Sequence, residues 1–106
     1  MRDTLLMLEQ TIRQRRAADP SSSYVAKLSG RGRAKIAQKV GEEAVETVIA
    51  AMAGDRSGVV GESADLLFHL LILLADLDLS LDAVCDELER REGVSGLAEK
   101  AARSED

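Results

Sequence analysis

The sequence predicts an all-α fold, a helical bundle of about four helices, and three observations carry that reading. Its 106 residues include 15 Leu and 15 Ala, both strong helix formers, against a single Pro. Aromatic side chains make up only 2% of the chain, one Tyr and one Phe, whereas a sheet would draw on aromatic and β-branched residues. Apolar positions recur at helical spacing, beginning with Leu5, Leu8 and Ile12 at i, i+3 and i+7. A chain of this length reads as one domain, residues 1–106.

The first helix runs over about 4–17 and stops before Asp19-Pro20-Ser21-Ser22-Ser23, a stretch with turn chemistry. Residues 24–33 follow as a short or irregular segment ending in Ser29-Gly30-Arg31-Gly32. The next helix covers about 33–53 and ends at Gly54, a residue suited to the left-handed position after a helix. Another starts near 55–59, where Asp55 or Ser57 can cap it, and continues to about 77. Ser80 caps the last helix, 81–91, which carries Asp82 in its first turn and Arg90 and Arg91 in its last, as the helix dipole favours. The Gly-containing, charged tail 93–106 reads as loosely ordered.

Within the helix that starts near 55–59, the run Leu66-Leu67-Phe68-His69-Leu70-Leu71-Ile72-Leu73-Leu74-Ala75 points apolar side chains in every direction. A helix apolar all round must be covered all round. A packed core within the monomer is one way to do this. A small chain has few helices to spare, which favours homodimerisation through this helix to complete the bundle.

Charge and composition exclude several classes. Fourteen basic against nineteen acidic side chains leave a net charge of −5, unsuited to general nucleic-acid binding. Cys85 stands alone, so it forms no internal disulfide and fits a reducing compartment. The apolar run 5–8 meets Glu9 at once, too short for a signal-peptide core. The stretch 66–75 is interrupted by His69 and falls short of the roughly 20 residues a bilayer needs. The expectation is a soluble, cytoplasmic protein that engages neither membrane nor nucleic acid.

Two acidic pairs carry the chemistry. Glu43 and Glu46 are three apart on the helix over 33–53, and Glu62 and Asp65 are three apart on the next, so each pair shares a helix face. Glu43 falls close in angle to Ile36, Val40 and Thr47, at the edge of the buried stripe, with Glu46 and Lys39 just beyond. Glu62, Asp65, His69 and Asp76 form a second stripe bordered by Leu66 and Leu73. Carboxylates at the margin of a buried face repel one another and lose hydration unless a cation neutralises them. Either pair alone reads as a solvated acidic face. Both pairs together, flanking one hairpin, favour a hard divalent cation such as Mg²⁺, which prefers oxygen ligands. A di-iron bundle would want Glu-x-x-His on two helices, and neither is present.

Lys27, Arg31, Arg33, Lys35 and Lys39 gather just upstream. Lys35 and Lys39 are at i, i+4 on the side of the helix that also bears Glu42 and Glu46, and simple charge pairing along it is worth only a few tenths of a kcal/mol. As a phosphate clamp beside a metal cradle, they would be joined by backbone N–H groups that Gly30 and Gly32 leave open to an anion. Spacing leaves both readings standing. No Walker loop occurs.

The run Ser23-Tyr24-Val25-Ala26-Lys27-Leu28, then Gly32, Lys35-Ile36, Lys39-Val40-Gly41-Glu42-Glu43-Ala44 and Glu46, resembles the phosphoribosyl-ATP pyrophosphohydrolase family. So do Ala64-Asp65-Leu66-Leu67-Phe68-His69-Leu70-Leu71, Ser80-Leu81 and the tail Ser95-Gly96-Leu97-Ala98-Glu99-Lys100-Ala101. The carboxylate pairs alone would indicate only the wider MazG-like all-α nucleotide pyrophosphohydrolases.

The resemblance implies the second step of histidine biosynthesis, Mg²⁺-dependent hydrolysis of phosphoribosyl-ATP to phosphoribosyl-AMP and pyrophosphate, on an all-α bundle completed by dimerisation. It implies that Glu43, Glu46, Glu62 and Asp65 hold metal and that Glu42 or Glu46 acts as the base. Lys27, Arg31, Lys35 and Lys39 would meet the phosphates. His69 reads either as a core histidine or as a hydrogen-bond partner that orients Asp65. Phe68 stands where the family commonly has Tyr, which leaves it a packing role. With almost no rings to stack on, adenine would be held by aliphatic side chains, polar contacts or the partner subunit.

Two other functions compete. A MazG-like house-cleaning enzyme acting on nucleoside triphosphates would share the four carboxylates. A non-enzymatic helical dimerisation module would hydrolyse nothing.

Overall fold

The computed structural model describes residues 2–92, and the expectations for the tail 93–106 lie outside them. Among the described residues the fold is all-helical: α1 Arg2–Arg15, α2 Tyr24–Gly30, α3 Arg33–Met52, α4 Arg56–Asp76 and α5 Leu81–Glu92. The four long helices stand where periodicity puts them. The segment after the Pro/Ser turn is a fifth, short helix, started by Ser23, whose hydroxyl accepts from the Ala26 N–H at 3.1 Å.

α3 and α4 form an antiparallel hairpin that the rest of the chain packs against. Gly54 closes it in the left-handed region at φ 71°, with its N–H on the Ala51 carbonyl and the Asp55 N–H on the Ala50 carbonyl. That paired pattern satisfies the last carbonyls of α3. Asp55 then caps α4 by accepting from the Gly58 N–H at 3.0 Å. A Cβ on Gly58 would sit 2.3 Å from the Asp55 carboxylate, so a larger residue there would displace that side chain from its present position. At the far end of α4 the Asp78 and Leu79 N–H groups repeat the closing pattern on Ala75 and Leu74. Ser80 caps α5 as its sequence position predicts, and Glu9 of α1 accepts from the Leu81 N–H at 2.7 Å.

The core lies at one end of the hairpin. Ile12 of α1, Ile36 of α3 and Ile72 of α4 are essentially sealed from solvent, and Val25, Leu28, Leu71, Leu74, Ala75 and Leu81 complete the cluster. The C-terminal half of α4 is therefore covered within the chain. By length and composition α4 is long and apolar enough to cross a membrane. Instead its apolar C-terminal half packs into this core.

The uncovered apolar surface is mainly elsewhere than the sequence suggests. Val45, Val48, Ile49 and Met52 lie on one face of α3 at i, i+3, i+4 and i+7 and are 57–83% exposed, with Val60 of α4 71% exposed nearby in the hairpin. No other helix among the described residues covers this face.

Ile72 enters the core from the C-terminal half of α4, so Ile72→Ala removes buried methylenes where three helices meet. The expected loss is about 3 kcal/mol in urea unfolding, with the slope of the transition unchanged.

Candidate active site

The site is built on the faces that α3 and α4 turn toward each other beyond the core. Glu43 follows Ile36 by two turns of α3, and that periodicity carries it to the margin of the buried stripe, where it is 7% exposed. Glu62 and Asp65 project from α4, half-buried and exposed respectively. One carboxylate oxygen from each of Glu43, Glu62 and Asp65 lies within 4.8 Å of the others. Glu46, one turn further along α3, is exposed and stands outside this trio, close enough to act on Glu62 through its charge. Three of the four predicted acidic residues are thus gathered, with the fourth at the rim.

Removal from water raises the Glu62 carboxyl above its ordinary value of 4.5, and Glu43 within hydrogen-bonding reach and the Glu46, Glu43 and Asp65 charges push the same way. The only cation drawn into this group from α3 is Lys39, whose Nζ lies 3.8 Å from Glu43 and 3.4 Å from Glu42. One ammonium shared between two carboxylates leaves the cluster strongly negative. An all-oxygen donor set with uncompensated charge suits a hard divalent cation.

Beside the carboxylates, the exposed faces of α2 and α3 enclose a pocket of about 280 Å³ lined by Tyr24, Lys27, Leu28, Arg31, Lys35, Lys39 and Glu42. All four predicted phosphate-contacting side chains line this one pocket. Val25 and Leu28 anchor α2 in the core, which turns Tyr24, Lys27 and Arg31 outward at i, i+3 and i+7. Lys35 and Lys39 face them from α3 at i, i+4. Glu42 accepts from Gln38 at 2.7 Å, and Gln38 and then Lys39 hold its carboxyl below the usual range. The Gly32 N–H is already donated to the Ser29 carbonyl, so Gly32 does not offer the anion-facing backbone donor that its sequence position suggests.

His69 is 6% exposed and doubly bonded. Its Nδ1 donates to the Asp65 main-chain carbonyl at 2.8 Å, and its Nε2 meets the Tyr24 hydroxyl at 2.8 Å. It therefore contacts Asp65 through the backbone. Asp76, on the same sequence stripe, belongs elsewhere: it pairs with Arg33 at 2.7 Å and Arg16 at 3.6 Å, tying the start of α3 to the end of α4.

Tyr24 carried no assigned role in the sequence reading. Its ring stacks near Phe68 with centroids 6.1 Å apart, and the His69 ring meets both edge-on. The scarce aromatics are thus concentrated beside the pocket, where Phe68 packs behind Tyr24. A wider depression beside α2 is lined by Arg13 and Arg16; Arg16 donates to the Ala75 carbonyl in the last turn of α4 and Arg13 to the Leu79 carbonyl beyond it.

A family model described as phosphoribosyl-ATP pyrophosphohydrolase matches residues 5–92. Among curated relatives, the phosphoribosyl-ATP pyrophosphatase of Rhizorhabdus wittichii is 69% identical over 103 residues, 97% of each chain. That of Novosphingobium aromaticivorans is 63% identical over 102 residues, 96% of this chain and 95% of the relative. That of Zymomonas mobilis is 60% identical over 101 residues, 95% and 94% respectively.

A carboxyl with a raised value keeps its proton in the folded chain at pH values where the unfolded chain has released it. Its contribution to stability is therefore complete below 4.5 and is lost as pH rises through the raised value. Glu62→Gln removes this component, so in chelator at pH 8 the variant is expected to melt above the parent chain. Thermal melts in chelator at pH 5 and pH 8 check this, with the gain larger at pH 8.

Proposed function

Because the chain belongs to the phosphoribosyl-ATP pyrophosphohydrolase family, we infer that it is a hydrolase of histidine biosynthesis, converting phosphoribosyl-ATP to phosphoribosyl-AMP and pyrophosphate. The observation that carries the reading to particular residues is the gathering of Glu43, Glu62 and Asp65 beside a pocket lined by four cationic side chains. We read residues 1–106 as one domain devoted to this reaction, acting in solution in the cytoplasm.

In this mechanism Lys27, Arg31, Lys35 and Lys39 hold the phosphates in the pocket between α2 and α3. Glu43, Glu62 and Asp65 would hold Mg²⁺, with Glu46 at the edge of the set. When bound, the ion supplies positive charge to the phosphate oxygens and to the departing pyrophosphate. Water attacks the anhydride between the α and β phosphates, and a carboxylate takes its proton. Glu46 suits that task better than Glu42. It makes no ion pair or hydrogen bond among the described residues, whereas Glu42 is bound by Gln38 and Lys39 and holds a proton less readily. His69 fixes the backbone at Asp65 and so steadies the carboxylate beside it.

The second copy implied by homodimerisation fits the open face of α3. Val45, Val48, Ile49 and Met52 form an apolar stripe next to Glu42 and Glu46. A partner seated there shields the stripe and walls the carboxylate side of the site.

Replacing Glu43 by Gln, or Asp65 by Asn, is expected to lower pyrophosphate release from phosphoribosyl-ATP on the order of 100-fold with Mg²⁺ present. Survival of near-parental rates would remove the metal role from these residues. A panel of nucleoside triphosphates run alongside separates this activity from house-cleaning hydrolysis. Independently, sedimentation is expected to show a dimer of the 11.4 kDa chain that Ile49→Glu converts to monomer.

A further inference from the structure

Tyr24 belongs to α2, yet its hydroxyl reaches the side chain of His69 on α4 across the edge of the pocket. A carbonyl only accepts, so His69 Nδ1 carries the proton that goes to the Asp65 carbonyl. In the neutral ring Nε2 is then an acceptor, and the Tyr24 O–H must be its donor. The phenol proton is committed inward, and the oxygen's free lone pairs remain for cations of the pocket. Lys39 lines the same pocket, and its hydrogen bond with Glu42 favours its charged form.

The ring itself has little freedom. Phe68 lies behind it at 6.1 Å between centroids and the His69 ring meets it edge-on at 5.7 Å. His69 is 6% exposed, which keeps water from competing for either of its bonds. A continuous polar path therefore runs from the Asp65 main chain on α4, through His69, to Tyr24 on α2. Lys39, which lines the same pocket as Tyr24, stands 3.8 Å from Glu43 on α3. Asp65, reached through its main-chain carbonyl, and Glu43, reached through its side chain, both belong to the gathered carboxylates.

We propose that Tyr24 is a positioning residue: its hydroxyl, through His69 and the Asp65 backbone, holds the cationic pocket in register with the carboxylate cluster. The proposal rests on the phosphohydrolase reading above. Its chemical content is alignment. Phosphates held by α2 and α3 must present one phosphorus to groups fixed on α3 and α4, and misplacement of about 1 Å can cost two orders of magnitude in rate.

Tyr24→Phe keeps the ring and removes only the donor. Steady-state hydrolysis of phosphoribosyl-ATP with Mg²⁺ is expected to show kcat lowered about 10- to 100-fold with KM within about threefold of the parent. A KM rise with kcat unchanged, or kcat within twofold of the parent, overturns the proposal. Combining Tyr24→Phe with His69→Gln provides a second reading. Shared action predicts that the double variant turns over no more slowly than the worse single variant, whereas multiplicative losses contradict it. Melting curves on each variant separate folding from turnover, and a stability loss large enough to explain the lost activity counts against the proposal. If the unsubstituted chain itself releases no pyrophosphate, the functional reading has failed, and not the role of Tyr24.

Discussion

Mutual repulsion among Glu43, Glu62 and Asp65 is the constraint around which this fold is arranged. Three carboxylates within 4.8 Å of one another, with Lys39 as their nearby ammonium, are unfavourable in a bare protein. They persist because the α3–α4 hairpin is fixed from its other end. Ile12, Ile36 and Ile72 seal the core there, and Asp76 clamps Arg33 and Arg16 across the helix ends. Stability is generated at one end of the hairpin and charge is concentrated toward the other.

The short helix α2 links those two regions. Its inner face, Val25 and Leu28, belongs to the core, and its outer face, Tyr24, Lys27 and Arg31, belongs to the pocket. A chain of net charge −5 thus keeps four cations on one small surface beside its carboxylates. The net charge describes this pocket poorly. An anionic nucleotide would meet the local field of the cations and the bound ion first.

Much of this was legible in the sequence, and the residues show why the rest was not. Glu43 and Glu62 could be placed because helical periodicity relates them to Ile36 and Leu66 without knowledge of the fold. The same periodicity put Asp76 on one stripe with Glu62. It lies eleven residues, about 16 Å of helix, beyond Asp65 and meets arginines instead. Tyr24 was missed because its partners come from a helix distant in sequence, and no spacing rule connects residues 24 and 69. The seven-residue α2 carries too few turns for a periodic signal, and its Ser-Gly ending reads as irregular. The all-round apolar run on α4 correctly indicated surface in need of cover, but the chain itself covers much of that run. The exposed stripe lies mainly on α3, where Val45, Val48, Ile49 and Met52 are separated by Glu46, Thr47 and two alanines and attract less notice in the sequence.

The central claim is that the three gathered carboxylates hold a divalent cation. Anomalous diffraction from crystals soaked in Mn²⁺, a hard oxygen-seeking substitute for Mg²⁺, tests it most directly. The account predicts a peak coordinated by oxygens of Glu43, Glu62 and Asp65. Manganese bound elsewhere, with these three carboxylates holding no ion at saturating concentration, would contradict it.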